Sequence, residues 1–310
     1  MNKKIVPWLA VLAMALFTSQ VQAFWSTGHM IVSRIAYEQL RNNNMTLFKL
    51  IDRDIKVLQE YSLEGTNHTF VESANWPDHL KEIAFKAMNG WHIAETPIID
   101  PDFEGEVYQA KENVTWAINQ MISTLTSKSI PKFNNSLAIS FSFRYLLHLV
   151  GDIHQPMHAA TYYSSSFPTG DIVGTLFPID FSPEIQNLHF LWDACLDQYI
   201  SINSTITEED WDLLGDYSSK IMRDFPLDSL QQRISVTDPT VWAAESYNIT
   251  SSFIYSEIVP GGTIPDEYIK QGSQIINEQL AVAGYRLAEL LEKIGIQRYR
   301  GEVINQMLNF

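Results

Sequence analysis

The sequence predicts an all-α protein built as a single helical domain. Apolar residues recur at the three- and four-residue spacing of amphipathic helices along most of the 310-residue chain. Convincing strand alternation is absent from the sequence. So are linkers, internal repeats and low-complexity tracts of the kind that separate domains. The length is sufficient for one large hydrophobic core.

Helical periodicity marks the segments 27–41, 45–60, 69–86, 105–128, 136–154, 187–201, 207–223, 239–258 and 265–294. The stretch from Leu137 to Gly151 is apolar nearly all round, which predicts a buried central helix. Pro156 ends this helix, because the residue before a proline avoids the helical region. From Tyr162 to Pro183 the chain is rich in Ser, Pro and Gly, which predicts a long loop of the kind that is usually functional or disordered.

Residues 1–23 have the pattern of a cleaved signal peptide. Two lysines at positions 3 and 4 precede an apolar run from Ile5 to Phe17, which is too short to span a bilayer. Val21-Gln22-Ala23 then offers a cleavage site, so Phe24 would begin a mature domain of residues 24–310. No later stretch is apolar for long enough to be a transmembrane helix. We therefore expect a secreted protein, or one of the secretory and lysosomal compartments.

Charge and cysteine content narrow the function classes. The net charge of −15 argues against broad electrostatic capture of a long polyanion, so a phosphodiester substrate would need metals or a few Lys and Arg. An acidic surface equally serves solubility.

The single cysteine, Cys195, excludes an intramolecular disulfide and is expected to be inert packing. Bound metal is therefore one remaining way to rigidify the fold. An excess of sequons predicts a glycoprotein: Asn44, Asn67, Asn113, Asn134, Asn203 and Asn248.

Two histidine–aspartate pairs suggest metal chemistry. His148 and Asp152 are four residues apart on the predicted central helix, so both side chains share one face. A buried carboxylate needs a partner, and imidazole with carboxylate suits a divalent metal such as zinc. His189 and Asp193 repeat the spacing, and His158 lies on the turn after Pro156, where it can point back. Either pair alone could be an ordinary hydrogen bond, but two on apolar helices favour a metal site.

Three further segments extend this pattern. His29 follows Gly28 near the expected new terminus, Asp78 ends Asn75-Trp-Pro-Asp78, and His92 lies in Trp91-His-Ile-Ala-Glu95. Each residue alone is more often structural than a ligand. The remaining histidines are interpreted as structural, packing or solvent-facing: His68, His79 and His154.

In this order the segments resemble the zinc-dependent type I nucleases, a family of single-strand nucleases and 3′-nucleotidases related to the bacterial zinc phospholipases C. The family pattern runs Gly-His, Trp-Ala-Asp, Trp-His with Asp-Thr-Pro, His-x-x-x-Asp-x-His-Gln-Pro-x-His and Asn-Leu-His-x-x-Trp-Asp. Here it reads Gly28-His29, Trp76-Pro77-Asp78, Trp91-His92 with Glu95-Thr96-Pro97, His148 to His158, and Asn187 to Asp193. The match covers nearly the whole mature chain.

The resemblance implies a helical domain around a trinuclear zinc cluster. The first zinc would be held by Asp78, His92, His148 and Asp152. The second would take the amino group and carbonyl of Phe24, with His29 and a shared Asp152. The third would take His158, His189 and Asp193.

It also implies an endonuclease that hydrolyses single-stranded DNA and RNA to 5′-phosphorylated products, with 3′-nucleotides as further substrates. We expect a monomer without a stable protein partner. Asp152 would bridge two metals, Lys81 would bind phosphate where the family has Arg, and Glu95 would replace the family's Asp near the attacking water. Phe24 replaces a Trp, and Val173-Gly174-Thr175 is the nearest match to the base-binding Gly-Gly-Asn.

Two other readings stay open. A zinc phospholipase C would share the metal ligands, although those enzymes have Glu in the place of Asp193. A secreted zinc-binding protein with weakened or no catalysis is the second alternative, and it rests on the departures at Phe24, Lys81, Glu95 and Thr175.

Overall fold

The structure, a computed structural model, describes residues 25–61, 68–82, 86–127, 135–203 and 205–302. The predicted signal peptide, Phe24 and the sequons at Asn67 and Asn134 lie outside the described residues. The α-helices in these ranges are α1 Trp25–Asn43, α2 Met45–Ile55, α3 Trp76–Glu82, α4 Val114–Thr126, α5 Asn135–His154, α6 Leu188–Asp193, α7 Glu208–Asp224, α8 Leu227–Ile234, α9 Pro239–Ile249 and α10 Asp266–Arg298.

Short 3₁₀ helices and one π-helical turn complete the helical part. The 3₁₀ segments are Lys56–Tyr61, Glu72–Asn75, Lys86–His92, Pro156–Ala159 and Cys195–Asp197, and the π turn is Thr250–Ile254. The strands β1 Thr96–Ile99 and β2 Ala160–Tyr163 pair in parallel, with Thr96 opposite Ala160. The prediction of an all-helical domain is confirmed, with this strand pair as a small addition that joins two parts of the functional site.

Helix α5 is the centre of the molecule. It packs against α1, α2, α4 and α10, and every residue from Ser142 to His154 is buried. Each large apolar side chain buried here contributes about 1.5–3 kcal/mol. The predicted central helix is therefore confirmed. Its apolar surroundings carry His148 and Asp152 into the core, where both side chains must find compensating partners.

The predicted helix 69–86 is wrong as a single element. The chain forms the 3₁₀ segment Glu72–Asn75 and then starts α3 at Trp76, with Pro77 in its first turn. Proline suits the first turn of a helix because its fixed φ matches the helix and no N–H is needed there. The periodic pattern thus ran across a break.

Four other predicted helices are shorter than expected, and one was missed. The predicted helices 45–60 and 239–258 end as α-helices at Ile55 and Ile249, each followed by a short 3₁₀ or π segment. Helix α4 starts only at Val114, where the Asn113 side chain caps it by accepting from the Trp116 N–H at 3.2 Å. Helix α6 ends at Asp193, and the residues from Cys195 to Asp197 have positive φ between 52° and 59°. Helix α8 had no counterpart in the sequence prediction.

The long loop predicted between Tyr162 and Pro183 is present, although its first two residues belong to β2. It joins β2 to α6. The longest helix, α10, has 33 residues, yet none of the helices in the described ranges is both long and apolar enough to span a membrane.

Candidate metal centre

Eight of the predicted metal ligands meet at one place beside α5. They come from α1, α3, α5, α6 and two 3₁₀ segments, and all are buried. Their side chains form three groups whose donor atoms lie within 4.8 Å of one another. The first group is Asp78, His92 and His148; the second is His29, His148 and Asp152; the third is His158, His189 and Asp193.

The first group surrounds the Nε2 atom of His148. This atom lies 3.4 Å from Asp78 Oδ1 and 3.0 Å from Asp152 Oδ2. The Nδ1 atom of His92 lies 2.9 Å from both Asp152 Oδ2 and His148 Nε2. Imidazole and carboxylate donors therefore converge on one point, as they do in a metal site.

The second group depends on a close approach of α1 to α5. The His29 ring stacks on the His148 ring with centroids 3.8 Å apart, and its Nε2 lies 3.5 Å from Asp152 Oδ1. Gly151 makes this possible, because a Cβ at that position would lie 2.7 Å from His29 Nδ1. Asp152 Oδ1 also lies 3.2 Å from His158 Nδ1, so one carboxylate faces all three groups.

The third group lies between the end of α5 and α6. His158 and His189 have parallel rings with centroids 5.1 Å apart. Asp193 places Oδ2 at 2.9 Å from His189 Nε2 and Oδ1 at 3.3 Å from His158 Nε2. The i, i+4 spacing therefore places the side chains of His189 and Asp193 at one site, as the sequence predicted.

Main-chain carbonyls fix the orientation of three imidazoles. The Nδ1 of His148 lies 2.7 Å from Ala74 O, that of His158 lies 3.0 Å from His92 O, and that of His189 lies 2.9 Å from Val173 O. A carbonyl only accepts, so each Nδ1 carries a hydrogen and each Nε2 faces the centre, where its lone pair is available in the neutral ring. This outer hydrogen bond is the usual companion of a metal-binding histidine.

The loop before α6 is shaped to supply one of these carbonyls. Val173 and Gly174 both have left-handed backbones, with φ of 49° and 84°. This conformation is costly for a β-branched residue and normal for glycine. It turns the Val173 carbonyl toward His189.

The histidines and aspartates of the centre shift one another's pKa values. Burial lowers the pKa of His148, but Asp152 and Asp78 raise it further, to about 9. His158 follows the same pattern with Asp152 and Asp193, and its pKa is about 10. Burial raises the pKa of Asp152, and three histidines pull it well below the ordinary value. The carboxylates thus demand positive charge, which imidazolium groups or metal cations can provide.

The donor set fits a metal. Within the described residues, the buried atoms Asp152 Oδ1, Asp193 Oδ2 and His158 Nε2 have no hydrogen bond of normal geometry. Unsatisfied atoms of this kind are costly in a dry core unless a ligand completes them. Nitrogen and oxygen donors without thiolates suit zinc.

Comparison with known proteins agrees with this geometry. The profile of the S1/P1 nuclease family matches residues 24–295. The chain belongs to the S1/P1 nuclease family. Similar proteins include Endonuclease 3 of Arabidopsis thaliana, 26% identical over 93% of this chain and 94% of the relative. Endonuclease 4 of the same plant is 24% identical over 95% and 97%, and Nuclease S1 of Aspergillus oryzae is 24% identical over 93% and 98%.

The family assignment made from the sequence motifs is therefore confirmed. The prediction of a nuclease fold is confirmed as well, because the family match spans the helical domain. The motifs supply ligands to all three groups: Gly-His supplies His29 to the second group, and the long histidine element supplies His148, Asp152 and His158, which are divided among the three.

Lys81 lies at the edge of the centre in this S1/P1 nuclease. Its ammonium is 2.5 Å from Asp78 Oδ1, and a quarter of its side chain is exposed. Burial lowers the pKa of Lys81, while Asp78 and Asp152 raise it to a net value above the ordinary one, so the charge is kept. A cation between solvent and the metal centre is suitably placed to meet an anionic substrate.

Glu95 is half-buried between the 3₁₀ segment that carries His92 and strand β1. Its backbone is left-handed, with φ of 51°, and burial raises the pKa of its carboxyl. Non-glycine residues in this region cost about 1–3 kcal/mol and cluster at functional sites. The neighbouring Ala94 N–H donates to His158 O at 2.8 Å, which ties this segment to the third group.

Predictions about the remaining residues can also be compared with the structure. His154 is structural, as expected: its Nδ1–H donates to Val150 O, and Arg286 contacts its Nε2 at 2.9 Å. His68 is buried against Arg144, and His79 is also buried. The prediction that these two histidines are packing residues is therefore confirmed, and the alternative that they face solvent is wrong. Cys195 is buried, in keeping with inert packing.

Two residues of the centre were missed by the sequence analysis. Gly151 gives His29 its space, and Gln155 donates to Asp193 Oδ1 at 2.6 Å. Gln155 stands inside the long histidine motif, which was the available signal. Phe24, the remaining predicted ligand, lies outside the described residues.

Proposed function

We propose that this protein is a secreted zinc-dependent endonuclease that cleaves single-stranded DNA and RNA and also removes phosphate from 3′-nucleotides. The observation that supports this most directly is the convergence of the three His/Asp groups on the shared carboxylate of Asp152. Family membership supports the phosphodiester substrate, since the similar proteins are named nucleases and endonucleases.

Three zinc ions are proposed, one for each group. The first ion would be held by Asp78, His92, His148 and Asp152. The second would be held by His29, Asp152 and the amino group and carbonyl of Phe24. The third would be held by His158, His189 and Asp193. Metal charge at these sites would let so acidic a protein bind a polyanion.

Zinc in such a site supplies Lewis acidity toward phosphate oxygens and lowers the pKa of water. The chain itself orients that chemistry. The carbonyls of Ala74, His92 and Val173 hold three imidazoles with Nε2 facing inward. Lys81 would pair with a non-bridging phosphate oxygen as a point charge, where an arginine would offer a fork.

Glu95 is proposed to accept or hold a proton beside the reacting phosphate. Its pKa is raised by burial, which brings its proton affinity closer to that needed for acid–base work near neutral pH. The left-handed backbone at Glu95 fixes the start of the side chain and suits a residue held for a specific position.

The secretory route rests on the leader pattern in residues 1–23. The family match starts at residue 24, which is where the predicted cleavage would leave the new terminus. If the amino group of Phe24 binds zinc, a form with extra residues before Phe24 should lack the second zinc and most activity. Full activity of such an extended form would refute that role.

A zinc count combined with substrate assays tests the proposal. The mature protein should hold about three zinc ions per chain and cleave single-stranded RNA and DNA far faster than duplex DNA. It should release phosphate from 3′-AMP, and chelation should abolish all activities until zinc is restored.

Phosphatidylcholine vesicles provide the comparison substrate, because a zinc phospholipase C would share the metal ligands. Hydrolysis of the vesicles without cleavage of nucleic acid would favour a zinc phospholipase C. Full zinc occupancy without any phosphodiesterase activity would point to a binding protein. One zinc or none would defeat the proposed cluster.

A further inference from the structure

The Gln155 amide links Asp193 of the third group to the segment that carries His158. Gln155 is fully buried at the end of α5, and its Nε2 is 2.6 Å from Asp193 Oδ1. Its Oε1 is 2.6 Å from the Met157 N atom. The side chain thus contacts the α6 carboxylate at one end and the backbone of the segment Pro156–Ala159 at the other.

Met157 fixes which way the amide faces. A backbone N–H only donates, so the carbonyl Oε1 of Gln155 must be the atom that meets it. The NH₂ group is consequently the one that faces Asp193, and a carboxylate is its natural acceptor. Each contact supports the other, so the amide has a single satisfied orientation.

This arrangement couples the positions of His158 and Asp193. Gln155 caps the 3₁₀ segment that carries His158 and at the same time holds the Asp193 carboxylate. With Oδ1 engaged by the amide, Oδ2 is the oxygen directed at His189 Nε2, 2.9 Å away. The planar amide allows little relative movement between the two elements.

We propose that Gln155 is the positioning residue of the third group and sets its affinity for metal by orienting the Asp193 carboxylate. The inference rests on the proposed function, because it takes His158, His189 and Asp193 to be ligands. Outer hydrogen bonds of this kind typically change metal affinity about 10- to 100-fold when removed. Gln155 itself is not among the proposed metal ligands.

The test measures zinc bound by the full mature chain across a series of buffered free-zinc concentrations. Gln155→Met keeps the volume and removes both hydrogen bonds. Gln155→Glu keeps an acceptor for the Met157 N–H and removes the donor to Asp193. In both variants we expect one of three zinc ions to bind about 10- to 100-fold more weakly, with the other two unchanged.

Gln279 provides a matched control. It is equally buried and donates its Nε2–H to His154 O at 3.0 Å, yet it touches no proposed ligand. Gln279→Met should lower the thermal unfolding temperature and leave all three zinc affinities unchanged. A purely structural role for Gln155 predicts instead that both Met variants behave alike.

The outcomes separate this inference from the function on which it rests. Fewer than three zinc ions on the wild-type chain would contradict the proposed function, and this inference with it. Three ions on the wild type together with unchanged affinities in Gln155→Met would overturn the inference alone. Wild-type or tighter affinity in Gln155→Glu would also overturn it, because the donor to Asp193 would then be dispensable.

Discussion

Two clusters of charged side chains, one fully buried and one partly buried, lie around the last turn of α5, and they are built differently. One is the candidate metal centre, called the metal centre below. The other, here called the arginine network, consists of Arg233, Glu245, Arg286, His154 and Gln279. Arg286 donates two hydrogen bonds of 2.9 Å to the two oxygens of Glu245, and Arg233 donates to Glu245 and to Gln279 Oε1.

The clusters differ in how their polar atoms are satisfied. In the arginine network every polar side-chain atom that is fully buried has a hydrogen-bond partner, whereas several buried atoms of the metal centre have none among the described residues. Removal of one partner from a satisfied buried ion pair destabilises the fold, because it leaves an uncompensated charge. Convergent donors that lack hydrogen bonds are instead prepared for a ligand. Burial of charge alone therefore does not identify a functional site.

The strongest way to break this comparison is to change the shared carboxylate. Asp152→Asn keeps the shape and removes the charge that the proposed first and second zinc ions would share, so we expect loss of these two ions and about a thousandfold loss of nuclease activity, or about 4 kcal/mol. Zinc content and single-strand cleavage rates measure the effect. Glu72→Gln is the control, because Glu72 is a buried acid that accepts from two backbone N–H groups outside the centre. A near-normal rate in Asp152→Asn would count decisively against the bridge.

The second prediction concerns the arginine network. Arg286→Met should reduce the free energy of unfolding by about 3 kcal/mol, because Glu245 loses two charge-assisted hydrogen bonds and the Arg233 carbonyl loses both of its Arg286 donors, while Glu245 keeps its pairing with Arg233. The zinc content of the folded fraction should stay at the wild-type value. Urea unfolding at fixed free zinc measures the first quantity and metal analysis the second. If the variant folds with normal stability but has lost zinc, the arginine network contributes to metal binding, and the two clusters are not independent.

Much of the fold could be predicted from the sequence, and the successes share a physical cause. Helices α1, α5 and α10 have long apolar patterns, so their burial is encoded by periodicity. The failures lie where local geometry departs from the period. Pro77 lies in the first turn of a new helix although the apolar periodicity runs on without a break. The left-handed turn from Cys195 to Asp197 contains no glycine, so the sequence carries no signal for it.

The site was predictable to a different degree at each residue. His148 with Asp152, and His189 with Asp193, are visible because both members of each pair share one helix face. His29, Asp78 and His92 come from distant segments and were ambiguous without the family resemblance. The roles of Gly151 and Gln155 were missed, because they depend on His29 and Asp193, which approach only in the folded chain; the only signal was the position of Gln155 inside the histidine motif.

Gly151 allows a test in which helix propensity and the metal site make opposite demands on one residue. In a helix, alanine is favoured over glycine by about 1 kcal/mol. At position 151, however, a Cβ would lie 2.7 Å from His29 Nδ1 and displace that ring. We expect Gly151→Ala to lose the zinc of the second group and about 10- to 100-fold of activity. Metal analysis and cleavage rates provide the measurement.

The control for this variant is Gly215→Ala in helix α7, where the added Cβ would meet only the end of the Arg34 side chain, at 3.3 Å. It should keep three zinc ions and full activity. If Gly151→Ala also keeps three ions, the ring of His29 can move without loss of binding, and the close approach of α1 to α5 is not needed for the second site.

The smallest expected effect is the pH dependence of the arginine network. Burial raises the pKa of Glu245, but Arg286 and Arg233 lower it further, to a net value below the ordinary 4.5. A carboxylate with a lowered pKa in the folded state stabilises the protein above the unfolded pKa, and this stabilisation is lost as the pH falls through the folded value. Glu245→Gln should therefore cost stability at neutral pH, by about 1.5 kcal/mol for a charge-assisted hydrogen bond at a partly exposed site, and the difference from wild type should shrink on acidification. Both proteins are compared by urea unfolding after chelation, so that zinc release at low pH contributes to neither curve. A difference that stays constant with pH would mean that Glu245 stabilises the fold through packing alone. The pairing of charges would then not be what distinguishes the arginine network from the metal centre.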